Sequence, residues 1–183
     1  MSLSNAILGF LNYAPMTGYD IKKFMDDSVN FFWMAQISQI YRELKVLESK
    51  GHIISEVKPS EKGPEKRVYF ITDSGRSQLK SWLAEVHTDE IMRNEFMIRI
   101  LFSSLISKDE LTLCIQNKLK EYQKEYQMLQ LVESRIQEYA HMFGKEEEVF
   151  YWKLVLKRGF YDLEAKLRWA KEVLKDISGE ENQ

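Results

Sequence analysis

The chain contains few of the residues that form disulfides or hold metal ions. Its 183 residues include one cysteine, Cys114, so no intramolecular disulfide can form, and its apolar helical surroundings predict a small buried side chain. The three histidines, His52, His87 and His141, are far apart and lack metal-ligand spacing. No apolar run approaches the roughly 18 residues of a membrane span. With no signal-peptide pattern either, these absences predict a cytoplasmic protein.

A strong excess of either charge is also missing. The net charge is −2. Residues 1–86 carry 11 Lys and Arg against 10 Asp and Glu, whereas residues 87–183 carry 15 against 18. This balance argues against generic binding of polyanions, but the slightly basic first half permits contact with phosphates.

Patterns typical of enzymes are absent as well. The sequence has no Ser-His-Asp arrangement, no metal-ligand spacing and no phosphate-binding glycine loop. The acidic run KEEE at 145–148 fits the solvated start of a helix, where negative charge is favoured by the helix dipole. We therefore predict neither an enzyme nor a cofactor.

Proline is confined to the first 64 residues, and the chain changes character after that point. Pro15, Pro59 and Pro64 separate short segments, whereas the second half consists of long amphipathic segments. This contrast predicts two domains, one at residues 1–86 and one at residues 87–183.

The first domain is predicted to contain three helices, two strands and a further helix. LSNAILGFL and TGYDIKKFM predict the first two helices, and Thr17 with Asp20 resembles a capping box. A third helix is predicted from about Ile37 to Ser49. HIISEV and KRVYFI have β-rich compositions, and Thr72 caps a fourth helix, DSGRSQLKSWLAEV. This order predicts a winged helix-turn-helix with a two-stranded β wing.

The second domain is predicted to be helical throughout, which makes the protein mainly α. DEIMRNEFMIRILFSSLI predicts one helix, and Ser107 with Glu110 forms a capping box for the next, which can run unbroken to Phe143. The apolar residues of that helix recur about every 3.6 residues, the period of a straight helix. A helix of about 50 Å would overhang so small a domain unless a partner covered its apolar stripe. The last helix is predicted from Glu147 to Ile177.

The third helix has an apolar side and a polar side. Ile37, Ile40, Leu44 and Leu47 cluster on one side at 100° per residue, and hydrogen-bonding side chains cluster on the other. Arginine reads guanine and glutamine reads adenine in the major groove, so the polar side fits base readout. The predicted DNA contacts are Gln36, Ser38, Gln39, Tyr41, Arg42 and Lys45 of this helix, with Lys62, Lys66 and Arg67 of the hairpin.

Two points stay open at this level. Any amphipathic surface helix has a polar side, so the helix alone does not prove DNA binding, although the helix order and the hairpin favour it. Tyr41 lies on the border between the two sides, where both a packing role and a DNA contact are consistent with its position.

Several stretches resemble transcriptional regulators of the PadR type, in particular the longer members related to virulence activators. ILGFLNYAPMTGYDIKKF resembles the opening of that family, KRVYFITDSGRSQLKSWL its wing strand and next helix, and YWKLVLKRGFYDLEAKLRW the closing helix of the long subgroup. One departure is Met34-Ala35, where the subgroup often has a proline. The third-helix pattern is matched by Trp33, Gln39, Ile40, Tyr41, Arg42, Leu44, Leu47, Glu48 and Gly51.

The resemblance implies a homodimeric DNA-binding regulator that acts on an inverted-repeat operator. We expect this regulator to be a repressor. The C-terminal helices then build the dimer, and a small hydrophobic or aromatic effector is the expected input. The candidate pocket residues are Phe31, Phe32, Trp33, Phe96, Phe102, Trp152 and Trp169. Aromatic residues at helical spacing are more often part of a core or a dimer interface, so this alternative stays open.

A second class of function is a winged-helix adaptor that binds proteins without reading DNA, since a fold does not fix a function. The two classes differ in salt dependence, because each phosphate contact releases counterions from DNA.

Overall fold

The computed structural model describes residues 2–29, 33–59, 65–85 and 94–179. Two short 3₁₀ turns, Ser103–Leu105 and Glu146–Glu148, precede the two longest helices. The helices and strands in chain order are α1 (Ser2–Tyr13), β1 (Met16–Thr17), α2 (Gly18–Ser28), α3 (Ile37–Ser49), β2 (Ile53–Lys58), β3 (Lys66–Ile71), α4 (Asp73–Ala84), α5 (Glu95–Leu101), α6 (Lys108–Phe143) and α7 (Val149–Ser178).

The first unit is a winged helix-turn-helix, as predicted, but its sheet has three strands. The strand order is β1-β3-β2 and both pairings are antiparallel. The additional strand, β1, consists of two residues, and Met16 lies opposite Tyr69. The sequence missed this strand because two residues are too few to display an alternating pattern.

The caps predicted for this unit are present. The Thr17 side chain accepts a hydrogen bond from the Asp20 N–H at 3.1 Å, and the Asp20 carboxylate accepts one from the Thr17 N–H at 3.0 Å. The Thr72 hydroxyl accepts a hydrogen bond from the Gly75 N–H at 3.1 Å and donates one to the Gly51 carbonyl at 2.7 Å. Thr72 therefore begins α4 and also ties it to the end of α3.

The core of this unit is formed by apolar residues of the helices and of the inner face of the sheet. One departure concerns Ile37, which is 38% exposed because it is the first residue of α3 and projects beyond the edge of the core. The residues that form the core include Ile7, Leu8, Leu11, Ile21, Met25, Ile40, Leu44, Leu47, Ile53 and Tyr69.

The second unit is helical, with one element shorter than predicted. The expected single helix over residues 89–106 is wrong in its described part. There α5 begins at Glu95, after the Asn94 side chain accepts a hydrogen bond from the Met97 N–H, and it ends at Leu101. Asn94 is a favoured N-cap residue, and this local signal prevails over the apolar run around it.

The longest helix, α6, matches its prediction. Ser107 caps it through reciprocal hydrogen bonds with Glu110, and it runs for 36 residues to Phe143. The inward-facing residues of α6 occur at 111, 115, 119, 122, 126, 129, 132, 136, 139 and 143, and all are buried or half-buried. Cys114 falls between these positions and is exposed, so its predicted burial is wrong.

Contacts divide the chain into two compact units. The first unit contains residues 1–87 together with Glu138–Glu147, and the second contains residues 88–137 and those from Glu148 onward. The last turn and a half of α6 therefore packs with the winged helix. Among the described residues, no helix is long and apolar enough to span a membrane.

Candidate nucleic-acid interface

One face of α3 is exposed and polar along its whole length. Ile40, Leu44 and Leu47 anchor the opposite face in the core. At 100° per residue, Ser38 and Arg42 lie about 40° apart, and Lys45 lies about 20° from Ser38 on the side away from Arg42. The structure exposes every residue of α3 and its N-cap that was predicted to contact DNA: Gln36, Ser38, Gln39, Tyr41, Arg42 and Lys45.

The N-terminus of α3 is capped by one of these candidates. The Gln36 N–H donates a hydrogen bond to Oε1 of Gln39 at 2.9 Å. Because a backbone N–H can only donate, the amide oxygen of Gln39 must face it, and the amide NH₂ group then remains for other contacts. Gln39 therefore presents mainly donors, which limits the paired donor and acceptor contact to adenine that the sequence suggested.

Tyr41 packs against α2. A Cβ atom added at Gly18 would lie 2.6 Å from Cε1 of Tyr41 and 2.8 Å from Cζ, so the ring rests directly on the glycine. The residue nevertheless keeps 42% of its surface exposed. Packing of α2 on α3 thus depends on Tyr41, and a part of its ring also lies on the outer surface.

The wing presents lysines on its outer face. Lys66 is exposed and lies directly opposite Lys58, at the end of the β2–β3 ladder. Two ammonium groups across an antiparallel pair repel one another unless an anion lies between them. The sequence missed Lys58 because the pairing register cannot be read without the hairpin. Lys62 lies outside the described residues.

Arg67 lies on the inner face of the wing. Its Nη2 atom is 4.0 Å from Oε1 of Glu48, a residue of α3, and Ser55 of β2 donates a hydrogen bond to the same oxygen. Burial raises the pKa of the neighbouring Tyr69 above its usual value, with Arg67 opposing this shift and Glu48 reinforcing it. Glu48 is a second residue that the sequence analysis did not select for the site.

Two of the aromatic candidates for an effector pocket are in contact with each other. Phe96 and Trp169 form an edge-to-face pair with centroids 6.1 Å apart, and the Lys118 ammonium lies 5.5 Å from the Phe96 centroid. A hydrogen bond to Glu121 raises the pKa of Lys118, which favours its protonated, positively charged form. Phe102 is 61% exposed.

Two further pocket candidates differ in burial and in the unit to which they belong. Trp152 is half-buried in the second unit, whereas Trp33 is exposed and belongs to the first unit. Phe31 and Phe32 lie outside the described residues.

Comparison with known proteins decides the family. The model of the transcriptional regulator PadR-like family matches residues 7–81, and the model described as virulence activator alpha C-term matches residues 92–178. The negative transcriptional regulator PadR of Bacillus subtilis (strain 168) is 30% identical over 173 residues, which cover 94% of this chain and 95% of that protein. The chain belongs to the PadR family.

Solved PadR structures resemble it over nearly its whole length. Bacillus subtilis PadR in complex with operator DNA has a TM-score of 0.80 at 29% identity and covers 97% of this chain and 99% of that one. The same protein in complex with p-coumaric acid has a TM-score of 0.74 at 28% identity, with the same coverage. The Vibrio cholerae virulence activator AphA has a TM-score of 0.72 at 29% identity and covers 97% and 98%.

Membership of the PadR family confirms three predictions. The mainly α winged-helix fold with long C-terminal helices is the fold of these relatives. The protein is a transcriptional regulator, and it is not an enzyme, because the PadR family consists of regulators.

Proposed function

We propose that this PadR-type protein binds operator DNA as a homodimer and represses transcription, with residues 1–86 reading DNA and residues 87–183 forming the dimer and receiving an effector. The observation that carries the proposal is the exposed polar face of α3 around Arg42, in one unit with a wing whose Lys58 and Lys66 lie opposite each other. A major-groove helix with an adjacent basic hairpin is how winged helices bind DNA.

Each part of this surface has a distinct task. Arg42 offers a guanidinium to guanine, and Ser38 and the Gln39 NH₂ group offer short donors near the start of the helix. Lys45 and the Gln36 region lie where phosphates flank the groove. Lys58, Lys62 and Lys66 neutralise phosphates next to the groove, which makes binding dependent on salt.

Dimerisation is supported by apolar surface in the second unit. Many large apolar side chains are exposed there in a single chain, whereas monomeric proteins rarely expose extensive apolar surface. Two copies would cover them and place two α3 helices on the two halves of an inverted repeat. The most exposed of these side chains are Leu101, Phe102, Leu105, Phe150 and Tyr151.

Repression, and release of DNA by an aromatic effector, are proposed from a relative and from the side chains of the second unit. The Bacillus subtilis relative is named a negative regulator and has been crystallised with p-coumaric acid, an aromatic carboxylic acid. In this chain the Phe96–Trp169 pair offers an aromatic surface, and Lys118 offers a nearby positive charge for a carboxylate. An effector releases DNA only if it binds the DNA-free conformation more tightly.

Selection of random duplexes by the purified chain tests the proposal. We expect an enriched two-fold symmetric site, with half-sites about one or two helical turns apart. Arg42→Ala should remove preference at one base position at a cost of about 1–3 kcal/mol, whereas Lys66→Ala should weaken all sequences alike. Recovery of no enriched sequence contradicts DNA readout.

The rival function, an adaptor that binds only proteins, predicts different behaviour. Its affinity for duplex DNA would be weak and indifferent to Arg42→Ala. A titration at two salt concentrations with the enriched duplex and a scrambled one separates the two functions, because only a regulator discriminates between the duplexes.

A further inference from the structure

A single carboxylate joins the DNA-reading helix to both strands of the wing. Oε1 of Glu48, near the C-terminus of α3, accepts a hydrogen bond from the Ser55 hydroxyl of β2. The same oxygen lies 4.0 Å from Nη2 of Arg67 on β3. Ser55 and Arg67 belong to the inner face of the sheet, because they alternate with the outward-facing Lys58 and Lys66.

This position is unusual for a negative charge. Glu48 lies on the helix that approaches DNA, where a carboxylate reduces the attraction to phosphates. By general electrostatics alone, its removal should strengthen binding. Its contacts with Ser55 and Arg67 supply a different role, because they fix how far the wing lies from α3.

We infer that Glu48 is a positioning residue for DNA binding, and that Arg67 acts through Glu48 rather than by holding a phosphate. The inference rests on the proposed function, since it concerns how the wing is placed for DNA. Arg67 was predicted from the sequence to be a phosphate contact like Lys66. The two residues are neighbours in β3 but face opposite sides of the sheet, and only Arg67 faces α3.

The contribution of this contact to folding is small. The Arg67 side chain is 55% exposed and that of Glu48 is 31% exposed, and ion pairs between exposed groups add little to stability because solvent screens them. Its effect on DNA binding is larger, since a wing that moves relative to α3 misplaces Lys58 and Lys66 on the backbone. The variants should therefore fold normally and bind DNA poorly.

Four single variants of the full chain separate positioning from direct contact. Glu48→Gln keeps an acceptor for Ser55 and removes the charge that faces Arg67, and Arg67→Gln removes the partner. Glu56→Gln, an exposed carboxylate on β2, is the matched control for the first, and Lys66→Gln is the matched control for the second. The readout is the affinity for the enriched duplex across a range of salt concentrations, with the thermal midpoint of each variant as a check on folding.

The expected pattern is specific. Glu48→Gln and Arg67→Gln each weaken binding about three- to tenfold, and the double variant is no weaker than either one, because the pair acts as a unit. The slope of log K against log salt stays at the wild-type value for both. Lys66→Gln lowers the magnitude of that slope by about 0.9, as the loss of one phosphate contact does. Glu56→Gln does not weaken binding.

The opposite results overturn the inference. A Glu48→Gln variant that binds as tightly as the wild type, or more tightly, shows that the carboxylate does not position the wing for DNA binding. A reduction of the salt slope by Arg67→Gln equal to that by Lys66→Gln makes Arg67 a phosphate contact. Should Glu48→Gln fail to fold, Ser55→Ala tests the same link from the wing, and unchanged affinity there refutes it. If the wild-type chain enriches no duplex, the result contradicts the proposed function itself, and this inference with it.

Discussion

The ring of Tyr41 lies against the α-carbon of Gly18, with no room for a methyl group between them. A Cβ atom at Gly18 would come within 2.6 Å of the ring. Through this contact the first residue of α2 sets the approach of α3, the helix that carries Arg42. The absence of a side chain at Gly18 thus lets α3, with its exposed polar face, pack closely on α2.

Gly18→Ala should destabilise the protein by about 1–3 kcal/mol, since the added methyl group forces the Tyr41 ring or one of the helices to move. Urea denaturation measures this change. Gly9→Ala is the matched control, because nothing lies within 4 Å of a Cβ atom there, and alanine should stabilise α1 by about 0.5–1 kcal/mol. Equal effects of the two substitutions would contradict the packing role of Gly18.

Gly75→Ala should be more damaging than Gly18→Ala. Its Cβ atom would lie 2.1 Å from the His52 carbonyl oxygen, and that oxygen accepts a hydrogen bond from the Thr72 N–H. A backbone atom cannot swing aside as a tyrosine ring can, so a loss of about 3 kcal/mol or more is expected. The midpoint of thermal unfolding provides the measurement. A decrease smaller than that of Gly18→Ala would show that the turn between α3 and β2 moves to accommodate the methyl group.

Tyr139→Phe should weaken the attachment of the α6 C-terminus to α2. The Tyr139 hydroxyl donates a hydrogen bond to the Asp27 carboxylate at 3.3 Å, and its ring contacts Phe24 edge-to-face. Loss of the hydroxyl should cost about 0.5–1.5 kcal/mol, most of it absent in an Asp27→Ala background. Tyr161→Phe, at an exposed position, serves as the control and should change stability by less than about 0.5 kcal/mol.

The start of α6 should become less stable in acid. Hydrogen bonds from the Ser107 N–H and hydroxyl lower the pKa of Glu110. Because its pKa is lowered, the ionised Glu110 stabilises the folded state at pH values above the ordinary glutamate pKa of about 4.3. This contribution is lost as the pH falls through the lowered pKa. Ser107→Ala should move the Glu110 pKa back toward its ordinary value in a carboxyl NMR titration. Ser134→Ala, whose hydroxyl donates within the same helix, should leave the Glu110 pKa unchanged.

Local patterns predicted the helices that carry a full stripe or a clear cap. The ten inward positions of α6, the capping box at Thr17 and the exposure of Arg42 all follow from periodicity and side-chain chemistry over a few residues. The same approach failed where a pattern was too short or was interrupted. It missed β1, which has two residues, and it extended α5 across residues where the chain turns.

Only the exposed part of the proposed site could be predicted from the sequence. Ser38, Arg42 and Lys45 were predicted because an amphipathic helix displays its polar side in the sequence itself, and the structure exposes all three. Lys58 and Glu48 were not, since their partners Lys66 and Arg67 are set by the strand register and by the packing of α3 on the wing.

The amino-acid sequence by itself determined a mainly helical winged-helix fold, because helix periods, caps and composition act between residues close in the chain. Its resemblance to PadR-type proteins indicated a transcriptional regulator. Only the tertiary structure decided what each polar residue does. In the folded chain the Gln39 side chain caps the start of its own helix, the Tyr41 ring packs on Gly18, and the Glu48 carboxylate contacts Ser55 and Arg67. Those roles depend on distances of a few ångströms between residues far apart in sequence, and such distances exist only once the core has fixed the elements against one another.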